Sequence, residues 1–184
     1  MVSVLVAAIA LSPVSVSGTL VTGKLAGQPV RFDHSTLKKL GQAKASQGGK
    51  VMDRADQYIL SLAVGNDFMP DQHLEVWFQI EPGQSVSNRS FVFKPFPFGS
   101  DEWRDQLYGK REGTAVPRGI TTVFAFDNRK GVDFTASHQD KFTATLKFGK
   151  AVKGKISGTV SVSLPDKATT KIAGSFEAAI TALP

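Results

Sequence analysis

Apolar and polar side chains alternate with a period of two along most of the chain. The pattern is cleanest over residues 154–181. Ile156, Gly158, Val160, Val162 and Leu164 share one parity, with Ser157, Thr159, Ser161 and Ser163 between them. Leu164-Pro165-Asp166 ends that run, because a proline cannot donate to a sheet ladder. Ile172, Gly174, Phe176, Ala178 and Ile180 then alternate with Ala173, Ser175, Glu177, Ala179 and Thr181. Period-two alternation places apolar side chains on one face of a strand and polar ones on the other. Two long antiparallel strands joined by a turn over 166–170 are predicted, with a firm register, since a one-residue slip would turn the apolar set toward water. Gly158 and Gly174 fall on the inner parity, where they leave room for an aromatic ring or mark bulges.

The same reading extends upstream. Residues 18–25 and 28–33 form a hairpin around Ala26-Gly27. Residues 36–45 are basic and of helical character, ended by Gln47-Gly48-Gly49. Tyr58, Leu60, Leu62 and Val64 mark a strand, and a loop spans 65–71. Over 73–80, Leu74, Val76, Phe78 and Ile80 point inward, with His73, Glu75, Trp77 and Gln79 outward. Glu81-Pro82-Gly83-Gln84 is a turn, and 89–94 a short strand with Phe91 and Phe93. Alternation resumes over 120–126, breaks at the 127–131 turn, and returns with Phe142, Ala144, Leu146 and Phe148. Eight to ten short strands with turns between them predict an all-β fold, an antiparallel β-sandwich of jelly-roll or immunoglobulin-like type.

Residues 94–119 break the pattern. Pro95, Pro97, Gly99, Gly109, Gly113 and Pro117 alternate there with aromatic and basic residues, and 101–108 has room for one or two helical turns. A long irregular loop in a compact domain is commonly functional or disordered. Aromatic rings beside guanidinium groups stack on sugar or base faces and meet anionic groups. Trp103, Arg104, Tyr108 and Arg111 are therefore the candidate ligand-binding residues, with Trp77 next because its parity turns it away from the core.

Composition narrows the classes. The chain has 184 residues, 41% hydrophobic and 21% charged, which suits one domain. It has no cysteine, so disulfides, thiolate metal sites and a cysteine nucleophile are excluded. A formal charge of +6 favours acidic partners such as anionic glycans, membrane surfaces or nucleic acid. Residues 2–11 are apolar and are followed by small residues, as in a secretory signal peptide, although a basic n-region is missing. Ten apolar residues are too few to span a bilayer. Residues 1–17 are thus read as a signal segment and 18–184 as a single domain.

Chemical motifs are sparse. Residues 149–156 match most of a phosphate-binding loop, but Ile156 stands where Ser or Thr is required and a strand follows where a helix is required. His34, His73 and His138 are scattered. Asp67, Asp71, His73 and Glu75 offer oxygen and nitrogen ligands without an established calcium-loop spacing. Asp101, Glu102 and Asp105 read as a solvated acidic turn. Asn88-Arg89-Ser90 is a glycosylation sequon. Ser157, Thr159, Ser161 and Ser163, beside Thr143 and Thr145, form a hydroxyl-bearing face open to solvent or to assembly. No metal, cofactor or catalytic group is assigned.

The series GKLAGQPV, VGNDFMPD, FGKA, GKISG, LPD and AGSFEA, in that order, resembles an uncharacterised bacterial β-sandwich module of secreted and cell-envelope proteins. The likeness covers most of the chain outside 99–117. It implies export and a sandwich fold, and it carries no catalytic residues. The expected function is an exported, non-enzymatic binding or assembly module, recognising carbohydrate or polyanion through the aromatic and basic loop. The alternatives are a structural subunit that packs against itself or a partner protein, and a hydrolase whose site is assembled from distant residues. No motif supports nucleic-acid binding.

Overall fold

The computed structural model describes residues 18–65, 69–93, 116, 118–137, 141–167 and 169–182. Eleven strands run in chain order: β1 (Leu20–Leu25), β2 (Gln28–Arg31), β3 (His34–Gln47), β4 (Lys50–Gly65), β5 (Pro70–Ile80), β6 (Ser90–Val92), β7 (Gly119–Asp127), β8 (Val132–Ser137), β9 (Thr143–Val152), β10 (Lys155–Ser163) and β11 (Lys171–Ala182). The fold is all-β, with no helix among the described residues. One sheet holds every strand, in the order β6-β9-β10-β11-β3-β4-β5-β7-β8, with β1 and β2 branching from β11. The sheet is mixed rather than wholly antiparallel, because β11 runs parallel to β3.

β11 creates the branch. One edge pairs with β10 along Lys171–Ala179. The other pairs with β1 in its first half and with β3 in its second. Ring contacts join the two ends of the sheet. Phe78 on β5 lies 4.9 Å from Phe91 on β6 and 5.5 Å from Phe148 on β9, and Phe148 lies 5.8 Å from Phe176 on β11. The inner faces of β3, β4, β5 and β7 and of β9, β10 and β11 therefore share one core, including Leu37, Leu60, Leu74, Val76, Leu146 and Ile156. Burying each such side chain contributes about 1.5–3 kcal/mol.

The two inner-parity glycines have distinct reasons. A Cβ on Gly158 would stand 2.5 Å from Cζ of Phe176, so Gly158 makes room for that ring. Gly174 has a φ of +152°, and a Cβ there would stand 2.2 Å from the Leu20 carbonyl oxygen, so Gly174 lets β1 approach β11.

Three expectations change. Residues 36–45 are strand, not helix: β3 pairs with β4 from His34 to Gln47, with irregularities at Lys39/Gly41 and Ala45/Ser46. A two-residue Gly48-Gly49 turn with φ of 56° and 77° closes the hairpin, and this long ladder overrides local helical character. Pro70 and Asp71 begin β5 rather than ending a loop, and a proline fits at the first residue of a strand. β8 was not anticipated, since Asp133 and Thr135 give its short alternation little apolar weight.

Candidate functional site

The outward parity of β5 builds a mixed aromatic and acidic surface. His73, Glu75 and Trp77 project from the face opposite Leu74, Val76 and Phe78. Register places Phe126 beside His73, Phe124 beside Glu75, and Thr122 beside Trp77. Asp133 and Thr135 follow on β8, opposite Phe126 and Phe124. The Trp77 ring meets Phe124 edge-on at 5.7 Å, and His73 meets Phe126 edge-on at 4.9 Å. Such pairs are worth about 0.5–1.5 kcal/mol beyond area burial.

Glu75 ties this surface together. Its Oε2 accepts a 2.9 Å hydrogen bond from Trp77 Nε1, and its Oε1 lies 3.7 Å from His73 Nε2. Burial pushes the His73 pKa down, and Glu75 opposes that shift without cancelling it, so the imidazole is neutral near pH 7. A concavity of about 640 Å³ opens along the β7–β8 hairpin, lined by Glu75, Phe124, Phe126, Asn128, Asp133 and Thr135. Half-buried rings beside carboxylate and hydroxyl acceptors can stack on a sugar face while binding its hydroxyls.

Of the five candidate ligand residues, Trp77 lies here. Trp103, Arg104, Tyr108 and Arg111 lie outside the described residues, as do Asp67, Asp101, Glu102, Asp105 and His138. The flanks of the 94–115 stretch are firmly held. Phe93 stacks on Phe142 at 3.6 Å. Arg118 donates from Nε to Glu81 Oε1 at 2.9 Å, and from Nη2 to Asp53 Oδ1 at 3.0 Å and to the Arg54 carbonyl at 2.8 Å. Burial raises the Asp53 pKa, but Arg118 and the Val116 and Arg54 amides outweigh it and bring the carboxyl below its ordinary value.

The other buried carboxylates hold structure together. Asp56 accepts from Lys39 Nζ and from the Gly83 amide, at 2.8 and 2.9 Å, and from Gln42. Asp127 accepts from Gln72 Nε2 at 2.8 Å and from the Arg129 amide at 3.1 Å, closing the β7–β8 turn. Among the described residues no three metal-binding side chains converge. The 149–156 segment is a β9–β10 hairpin turning at Lys153-Gly154, not a phosphate loop.

Phe124 and Phe126 join this candidate surface without a signal in the strand alternation. A register irregularity between Trp77 and Phe78 lets both Ile120 and Val123 point inward, which reverses the parity midway along β7. Their outward position was hidden by that single extra residue.

A second outward surface covers the other half of the sheet. Thr143, Thr145 and Lys147 on β9 adjoin Ser163, Ser161 and Thr159 on β10. Those in turn adjoin Lys171, Ala173 and Ser175 on β11, and β1 continues the rows with Lys24, Thr22 and Leu20. The hydroxyl row predicted on β10 is therefore part of a wider face.

No family model, curated protein or solved structure matches this chain. Among the described residues no helix is long and apolar enough to cross a membrane.

Proposed function

We propose that this chain is an exported, non-enzymatic carbohydrate-binding module of the cell envelope, with a β-sandwich arrangement of the two sheet halves. The observation that carries the reading is the Trp77 indole, fixed by Glu75 and braced edge-on by Phe124 beside the concavity on the β7–β8 hairpin. A fixed ring loses little freedom when a sugar stacks on it. Hydroxyl and carboxylate groups at Thr135, Asp133 and Glu75 supply acceptors along the concavity. The apolar run 2–11 and the resemblance to envelope modules support export.

Binding is tested by glycan-array screening of the full chain, followed by calorimetry on the best ligand with Trp77→Ala and Phe124→Ala. Both variants are expected to weaken binding at least tenfold while still unfolding cooperatively. Unchanged affinity in two folded variants would overturn the reading. A second reading, a structural subunit, draws support from the β3–β4 hairpin. Beyond Asp56 this ribbon has no ladder partner other than itself among the described residues, and it carries Met52, 48% exposed. Concentration-dependent sedimentation as an oligomer would favour it.

A further inference from the structure

The outward face of β2-β1-β11-β10-β9 combines hydroxyls with uncompensated positive charge. Lys24, Arg31, Lys147, Lys155 and Lys171 all point outward from it, against one carboxylate, Glu177. Glu177 is already held by Lys155 at 2.8 Å. Lys24, Arg31, Lys147 and Lys171 have no ion-pair partner among the described residues.

The arrangement of two of these lysines is unfavourable for the isolated protein. Lys24 and Lys171 are direct cross-strand partners on neighbouring strands and share one face. Like charges directly opposite one another destabilise a sheet. An anion lying between them removes that cost. Between this pair and Lys147 lie Ser163, Ser161, Thr159 and Ser175, with Thr22 leading on to Arg31. Across the five strands the face spans about 19 Å, at about 4.8 Å per strand spacing.

We propose that this face binds a linear anionic polysaccharide, with Lys24, Lys171, Arg31 and Lys147 meeting its carboxylate or sulfate groups and the hydroxyl rows meeting its sugar hydroxyls. A polysaccharide fits better than a nucleic acid because no aromatic side chain points outward from these five strands, and stacking platforms are what hold unpaired bases. The basic residues sit on β1, β2, β9 and β11 and Trp77 on β5, so variants on either surface leave the other's residues in place.

The test is affinity electrophoresis of the full chain through gels containing polygalacturonate, dextran sulfate or neutral dextran, with a double-stranded DNA competitor, at low and high salt. Retention is expected on one or both anionic polymers, lost at high salt, and absent on neutral dextran; the two anionic gels separate carboxylate from sulfate recognition. Lys24→Ala and Lys171→Ala are each expected to weaken retention roughly fivefold, about the effect of one basic side chain near an anionic surface. Both should leave the melting temperature unchanged or raised, because they relieve the cross-strand repulsion. A merely structural role would lower it. Equal retention of the variants and wild type, equal retention on neutral dextran, or displacement by DNA at a lower charge concentration than by free polysaccharide would each overturn the proposal.

Discussion

Trp77 and Glu75 are bonded to each other along one strand: the indole N–H of Trp77 donates to Glu75 Oε2 at 2.9 Å, two residues earlier on the same outward face. The bond sets the ring's orientation, and the indole meets Phe124 in a T-shaped contact. The same carboxylate lies beside His73, so one acidic side chain engages both Trp77 and His73.

Glu75→Ala should therefore release the indole. The expected loss of stability is about 1 kcal/mol, typical of a hydrogen bond at a half-exposed site. Urea unfolding measures the stability change. A red-shifted tryptophan emission in the variant, absent in Trp77→Phe/Glu75→Ala, would tie the spectral change to this ring. An unshifted emission would mean that Glu75 does not hold it.

Asp56 makes the stability of the fold sensitive to acid. Burial raises its pKa, but the bonds from Lys39, Gly83 and Gln42 outweigh burial, so its folded pKa lies below the ordinary value of 3.8. Asp53 and Asp127 are lowered in the same way. Above pH 3.8 these groups are charged in both states and their contribution is complete. Below it the unfolded chain takes up protons first, and stability falls until the folded carboxyls also protonate. Asp56→Asn should be destabilised by about 1–3 kcal/mol at pH 7, from a weakened buried acceptor. It should also show a shallower stability loss between pH 4 and pH 2, read from urea midpoints. A wild-type slope in Asp56→Asn would remove Asp56 from this account.

Gly158→Ala tests the packing logic of β10. The new Cβ would lie 2.4 Å from the Lys147 carbonyl oxygen and 2.5 Å from Phe176 Cζ, and the backbone oxygen cannot swing aside as a flexible side chain can. Overpacking of this kind costs about 1–3 kcal/mol. Phe176→Leu in the same background should recover part of that loss, because it shortens the clashing ring but leaves the carbonyl in place. No recovery would show that the strand backbone alone sets the cost.

The sequence makes this fold legible wherever one face of a strand is buried and the other wet. The 154–181 hairpin, the Ala26-Gly27 and Gly83 turns, and the inward set on β5 all follow from that contrast. It fails in β3, where Lys38, Lys39, Lys44 and small residues give little apolar contrast and the ladders with β4 and β11 decide the conformation. It fails again in β7, where one irregular residue inverts the parity of Phe124 and Phe126. The β11–β3 pairing was out of reach, because nothing local to either strand specifies a parallel partner about 140 residues away. The outward placement of Trp77 follows from parity alone. Its bond to Glu75 was one residue pair further than that parity could rank.

His73 gives a second pH response, in a different window. Burial lowers its folded pKa below the ordinary value of 6.5, and Glu75 offsets only part of that. The unfolded chain therefore binds a proton below about pH 6.5, where the folded imidazole is still neutral. Stability from this group is complete above pH 6.5 and is lost as pH falls toward the lower folded value. His73→Gln should remove that slope between pH 6.5 and 5 while leaving the steeper loss below pH 4. The Phe126 ring, edge-on to the imidazole at 4.9 Å, gives an independent reporter. Its aromatic proton resonances should titrate with the His73 midpoint, which lies below 6.5. A His73 midpoint at or above 6.5 would mean that Glu75 dominates burial, and the sign of the response would reverse.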